Sequence, residues 1–170
     1  MRPAQVPEPP SQARPLHLRL AVQVDGAALE VLSADLVDES LEPARQVVGP
    51  WVYELREGGE TVWVGTMADP TTERGIARPR EYEHPYRPGS RGDFIVRVPI
   101  GQDSVRRPVE IRVYKLTGPI PANLDELKRL VASGESTYLH RIGTIEDRAL
   151  RRHRDWARVE AALGPVKRDH

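Results

Sequence analysis

The sequence predicts a mainly β protein, an antiparallel β-sandwich followed by a C-terminal helical tail. Three observations carry this expectation. Between residues 16 and 116, five or six short segments alternate apolar and polar residues with a period of two. The pairs Asp25-Gly26 and Gly58-Gly59 stand where tight hairpin turns are required. Helical periodicity is confined to residues after about 121.

Residues 1–15 contain Pro3, Pro7, Pro9, Pro10 and Pro15 and no apolar run, so a disordered leader is expected rather than a secretory signal. The first strand follows, with Leu16, Leu18, Leu20, Val22 and Val24 alternating with His17, Arg19, Ala21 and Gln23. Its return strand, about Ala28 to Val37, is apolar at Leu29 and Val31 and again at Leu32, Ala34 and Leu36. That change of phase predicts a bulge between Val31 and Leu32. In the second hairpin Trp51, Tyr53 and Leu55 alternate with Val52, Glu54 and Arg56. The return, Thr61 to Met67, sets Val62 and Val64 on one face and Trp63 on the other. Phe94, Val96 and Val98 mark a fifth strand, Val109, Ile111 and Val113 a sixth, and Thr137 to Ile142 a seventh.

Six or seven such strands suit two packed antiparallel sheets. The pattern resembles an immunoglobulin-like or fibronectin-like sandwich in general form. In the tail, Asn123 and Glu126 are spaced as a capping box for a helix over Leu124, Leu127, Leu130 and Val131, which Gly134 ends. A longer helix is expected from Ile145 to Leu163, with Ile145, Ala149, Trp156, Val159 and Leu163 on one stripe. Arg152 intrudes on that stripe and has to snorkel or find a carboxylate. The organisation is therefore a leader (1–15), a β-sandwich domain (16–116) with a long loop at 68–92, and a helical extension (117–170).

Several function classes are excluded by composition. The chain has no cysteine, hence no disulfide framework and no thiolate zinc site. No apolar run reaches the roughly 20 residues that span a bilayer, so a cytoplasmic protein without a membrane partner is expected. Arginine outnumbers lysine 22 to 3, which reads as paired carboxylate recognition or, more simply, as GC-rich coding in a bacterial genome. Net charge is zero but unevenly spread: residues 16–70 hold three arginines against ten acids, while residues 71–116 hold ten basic residues against six acids. Such polarity favours oriented contact with another protein more than general nucleic-acid binding.

Catalytic and cofactor motifs are missing. Gly58-Gly59 lacks the further glycines and Lys-Ser/Thr of a phosphate loop, and no nucleophile elbow or His-Glu-x-x-His occurs. No cofactor and no metal are expected. Glu81, Glu83 and His84 form the densest titratable cluster, which reads as a solvated loop or as a His/Glu site of a hydrolase assembled by the fold. Arg91-Gly92-Asp93 spells an adhesion tripeptide, but a glycine that eases the chain into its next strand explains it more simply.

The segment from Ala68 to Gly92 is long for a connection inside a domain. It carries Arg74, Arg78, Arg80 and Arg87 with Tyr82 and Tyr86, the composition of a recognition surface. Trp156, on the apolar stripe of the tail, either packs on the sandwich or docks in a partner's groove. These seven residues are the candidate partner-binding set. The leading expectation is a non-catalytic protein-binding module, an accessory subunit or adaptor of a bacterial cytoplasmic assembly whose partner presents an acidic surface. The alternative is a nucleic-acid-binding domain using the same loop and the arginine-rich C-terminal helix.

Overall fold

The computed structural model describes residues 16–39, 41–43, 46–72, 91–134 and 137–164, without the side chains of residues 102 and 103. Among these residues, seven strands and four short helices follow in chain order: β1 (His17–Asp25), β2 (Ala28–Val37), β3 (Trp51–Glu57), β4 (Glu60–Met67), β5 (Arg91–Pro99), α1 (Gln102–Arg106), β6 (Val109–Leu116), α2 (Leu124–Ala132), β7 (Leu139–Ile145), α3 (Asp147–Arg152) and α4 (Trp156–Leu163). The strands form two antiparallel sheets, sheet A in the order β2-β1-β5 and sheet B in the order β4-β3-β6-β7.

Alternation in the strands builds one shared core. Leu18, Leu20, Val22 and Val24 of β1 and Phe94, Val96 and Val98 of β5 supply one wall. Trp51, Tyr53 and Leu55 of β3 and Val109, Ile111 and Val113 of β6 supply the other. The rings of Trp51 and Phe94 meet across it, centroids 6.3 Å apart and tilted by 59°. The Tyr53 hydroxyl crosses from sheet B to donate to the Arg97 carbonyl at 3.2 Å.

The turns form where glycine permits them. Gly26 (φ 61°), Gly58 (φ 58°) and Gly59 (φ 88°) occupy the left-handed region that a side chain disfavours. The bulge in β2 is present: Ala21 faces Ser33 and Val22 faces Val31, so Leu32 has no partner on β1. Leu29, Val31, Ala34 and Leu36 then all reach the core, while Leu32 is displaced to solvent, 38% exposed. A second bulge, not apparent in the sequence, lies at Val62 of β4, because Leu55 faces Trp63 while Arg56 faces Thr61. Trp63 is thereby set against the core and Val64 on the opposite face.

Sheet B is covered on both faces. Opposite the shared core, Val52, Val64, Tyr114, Leu116 and Leu139 pack under Leu124, Leu127 and Val131 of α2. Its capping is as expected at the start, with the Glu126 N–H donating to Asn123 Oδ1 at 3.0 Å. Glu126 reaches back to the Ala122 N–H at 3.1 Å, and Gly134 (φ 84°) ends the helix.

The tail departs from expectation in three ways. Ile145 ends strand β7, which pairs with β6, rather than starting a helix. The expected single helix is broken at His153–Asp155 into α3 and α4. The reason is geometric. Leu150 and Val159 are nine residues apart, roughly two and a half turns, so on one continuous helix they would point in opposite directions. The break lets Leu150, Trp156, Val159 and Leu163 all enter the core and leaves Arg152 exposed. Finally, helix is not confined to residues beyond 121, since α1 forms between β5 and β6.

Trp156 is 2% exposed within this core. Trp156→Ala is expected to cost about 3–5 kcal/mol through lost burial and the cavity left behind. Chemical denaturation checks this; a midpoint within error of the wild type would mean that the ring contributes no packing.

Candidate functional site

Three regions gather polar side chains, and each is positioned by a different part of the fold. The first is the base of the connection between β4 and β5, which passes from sheet B to sheet A. Asp69 organises it. Its Oδ1 accepts the Thr71 N–H at 2.9 Å and the Thr71 hydroxyl at 2.6 Å, and its Oδ2 accepts from Lys115 Nζ of β6 at 3.4 Å. Burial alone would raise the Asp69 carboxyl, but the Thr71 bonds and the Lys115 charge hold it below the usual aspartate range. On the other side stands Gly92, where a Cβ would lie 2.0 Å from the Pro70 carbonyl oxygen. Only glycine lets the two ends of the connection approach so closely. Within the Arg91-Gly92-Asp93 triplet, Arg91 donates to Gln23 at 2.8 Å, and Gln23 donates to Asp93 at 3.0 Å, all within sheet A. Arg74, Arg78, Arg80, Tyr82, Tyr86 and Arg87, with Glu81, Glu83 and His84, lie outside the described residues.

The second region is the outer face of sheet B where α2 leaves it uncovered. Cross-strand register sets Glu54 opposite Arg112 and Arg56 opposite Glu110, a two-by-two pattern of alternating charge. Arg112 Nε bonds Glu110. Glu54 is 2% exposed. Its Oε2 accepts from the Tyr114 hydroxyl at 2.8 Å, its Oε1 from Thr61, and Arg56 Nε lies 3.7 Å away. Burial pushes the Tyr114 phenol up, as do the hydrogen bond and charge of Glu54, against the opposing pull of Arg112. Beside it a cleft of about 300 Å³ runs between β4 and α2, lined by Thr61, Val62, Trp63, Val64, Lys128 and Ala132. Sequence reasoning missed Glu54 and Tyr114. The available signal was Val52, Tyr114 and Leu116, three large apolar residues at outward positions of β3 and β6.

The third region is the tail. Asp147 joins it to sheet B: its Oδ1 accepts the Val109 N–H at 2.9 Å, and both its oxygens accept from Arg151 Nε at 2.8 Å. The guanidinium of Arg151 also lies 5.8 Å from the centre of the Trp156 ring, and the Trp156 indole N–H donates to Glu160 at 2.9 Å. Trp156 was a candidate partner contact; the structure spends it on the core instead. At the edge of sheet A, Ala34 of β2 donates its N–H to Asp155 at 3.1 Å and accepts from Arg158 at 3.4 Å.

The described histidines take separate structural positions. His17 Nδ1 lies 2.9 Å from the Glu39 carbonyl, His140 Nε2 lies 3.1 Å from the Thr137 carbonyl, and His153 Nδ1 accepts from the Asp155 N–H. Among the described residues no three His, Asp or Glu side chains gather as metal ligands, and no helix is long and apolar enough to cross a membrane. Comparison of the chain with protein-family models, curated proteins and solved structures finds no match.

Two measurements test these bonds. Tyr114→Phe leaves an acceptor of a buried carboxyl without its partner and is expected to cost about 1–3 kcal/mol. A double-mutant cycle with Glu54→Ala isolates the pair; a coupling energy of zero would show that the contact contributes nothing. Asp147 provides the pH test. Burial alone would raise its carboxyl, but the bonds from Arg151 and the Val109 N–H hold it below the usual range. Its contribution is therefore present above the unfolded value near 3.9 and lost as pH falls through the lower folded value. Asp147→Asn should be less stable than wild type at neutral pH, with the gap closing below about pH 4. Urea midpoints across this range decide it, and a gap that widens in acid would refute the assignment.

Proposed function

We propose that this protein is a non-catalytic protein-binding module, an accessory subunit or adaptor of a bacterial cytoplasmic assembly, which takes an acidic surface of another protein on its β4–β5 connection. The scaffold in this reading is a β-sandwich of immunoglobulin- or fibronectin-like general form. The sandwich is supported by the single core that both sheets share and by the neighbouring edges: Gly143 of β7 lies against Ala27 and Leu29 at the start of β2, and β4 runs beside β5.

The observation that carries the functional reading is the clamped base of the connection. Asp69, Thr71 and Lys115 fix the end that leaves β4, and Gly92 against Pro70 brings the returning end to the same place. A segment rich in arginine and tyrosine is thus presented from a defined platform, which lowers the ordering cost of recognition. Its sequence also supplies Pro79, Pro85 and Pro88, which restrict backbone freedom.

Arg78→Glu with Arg80→Glu should weaken retention of the protein on immobilised polyglutamate while changing stability by no more than about 0.5 kcal/mol. Replacing Tyr82 and Tyr86 by Ala should weaken retention further. A chain with residues 73–90 exchanged for a short Gly-Ser linker, if retained as strongly as wild type, would remove the connection from consideration. An affinity for mixed-sequence oligonucleotides that exceeds the polyglutamate affinity, and collapses by roughly a thousandfold between about 50 and 200 mM salt, would favour the nucleic-acid reading instead.

A further inference from the structure

The charged surface at the opposite end of the strands has a separate logic. Several described arginines are engaged: Arg19 and Arg158 by Asp35, Arg112 by Glu110, Arg151 by Asp147, Arg91 by Gln23, and Arg56 by the Gly59 carbonyl. Arg107, Arg148, Arg152 and Arg154 are exposed and have no carboxylate within ion-pairing distance among the described residues. They also belong to one corner. The guanidinium of Arg151 donates to the Arg107 carbonyl at 3.0 Å, which sets α3 beside the turn between α1 and β6. Arg148 and Arg152, four residues apart on α3, share a face of that helix, and Arg154 follows in the break before α4.

The corner is held rigidly from beneath. Asp147 and Arg151 tie α3 to β6, and Leu150 on the same helix is buried. Of the carboxylates at the corner, Asp147 is consumed by Arg151 and the Val109 N–H, Glu160 lies 3.6 Å from Arg151, and Asp155 feels the charge of Arg154. The exposed guanidiniums are thus left with their donors turned to solvent, on a base that does not need to order when a partner arrives.

We propose that this corner is an interaction surface for a short acidic segment of a protein, one that brings at least two carboxylates within reach of Arg148 and Arg152. Guanidinium forks take carboxylates in paired hydrogen bonds, which lysine cannot reproduce. The surroundings favour a short peptide over a nucleic acid. Arg107 packs beside Gly58, in the turn flanked by Glu57 and Glu60, and Glu146 stands exposed next to α3. A duplex laid across this end would meet those acids along with the arginines, whereas a short segment engages the corner alone. This surface is independent of the β4–β5 connection.

The test uses fluorescein-labelled hexaglutamate and a labelled mixed-sequence DNA duplex of about twelve base pairs, with the full chain and anisotropy as the readout. Arg148→Glu with Arg152→Glu should weaken hexaglutamate binding at least tenfold, and Arg107→Glu should weaken it in addition. The chain carrying a Gly-Ser linker at 73–90 should keep the corner's share of that binding, which separates this proposal from the previous one. Arg148→Ala with Arg152→Ala, a milder change at exposed positions, should show a smaller loss in the same direction. Unchanged hexaglutamate affinity in both 148/152 variants would overturn the proposal. A duplex that binds more tightly than hexaglutamate, and loses that binding in the same variants, would overturn it in favour of a nucleic-acid partner.

Discussion

Coverage of sheet B on both faces is the constraint that orders the rest of the molecule. Strands β3 and β6 lie at its centre, so each of their residues must be compatible with burial on one side or the other. The inner side meets this with Trp51, Leu55, Ile111 and Val113 against sheet A. The outer side needs α2, because Val52, Tyr114 and Leu116 would otherwise form an exposed apolar patch. One helix of nine residues is too short to cover the whole face. The uncovered part is where the sequence changes to Glu54, Arg56, Glu110 and Arg112, and cross-strand pairing keeps those charges from being buried alone.

Glu54 sits at the boundary of these two regimes. It is deep enough to be almost without solvent, yet it holds bonds from Tyr114 and Thr61 and has Arg56 near it. Tyr114 is the complement: its ring belongs to the apolar cluster under α2 and its hydroxyl to the polar group beside it. The pair joins the packing of α2 to the charge pattern of the sheet. A shift of α2 along the face would uncover one or the other.

Much of this was legible in the sequence, and what was not has a physical reason. Inner-face residues declare themselves by a period of two, and the β2 bulge is visible as a phase error at Leu32. Outer-face burial is harder to read because that face also carries Glu54 beside Val52 and Arg112 beside Tyr114, and only the later α2 gives the apolar pair a partner. The tail misled for a related reason. Ile145, Trp156, Val159 and Leu163 do fit one helical stripe, but the core also demands Leu150, and no unbroken helix delivers all five. The asparagine cap at Asn123 and the glycines at 26, 58, 59 and 134 read correctly because their function is local. Of the candidate partner contacts, Trp156 was legible as apolar, but nothing in a periodicity distinguishes a core anchor from a docking one.

The edges of the sheets narrow where a partner can bind. Ala34, on the outer edge of β2, has its N–H taken by Asp155 and its carbonyl by Arg158, so the tail occupies the positions that an added strand would use. The bulge at Leu32 disrupts the same edge, and the bulge at Val62 does so on β4. Strand addition is thereby discouraged on β2 and β4, two of the four edge strands, and both proposed recognition surfaces lie at the ends of the strands. There the fold offers two anchored platforms on β6: Lys115 holds Asp69 near its last residues, and the Val109 N–H holds Asp147 at its first. Val109 and Lys115 are six residues apart along the strand, roughly 20 Å. A single small partner domain reaches both only by lying along the sheet, where α2 already sits. The two proposed surfaces, so separated, suit two partners or one extended chain better than one compact body.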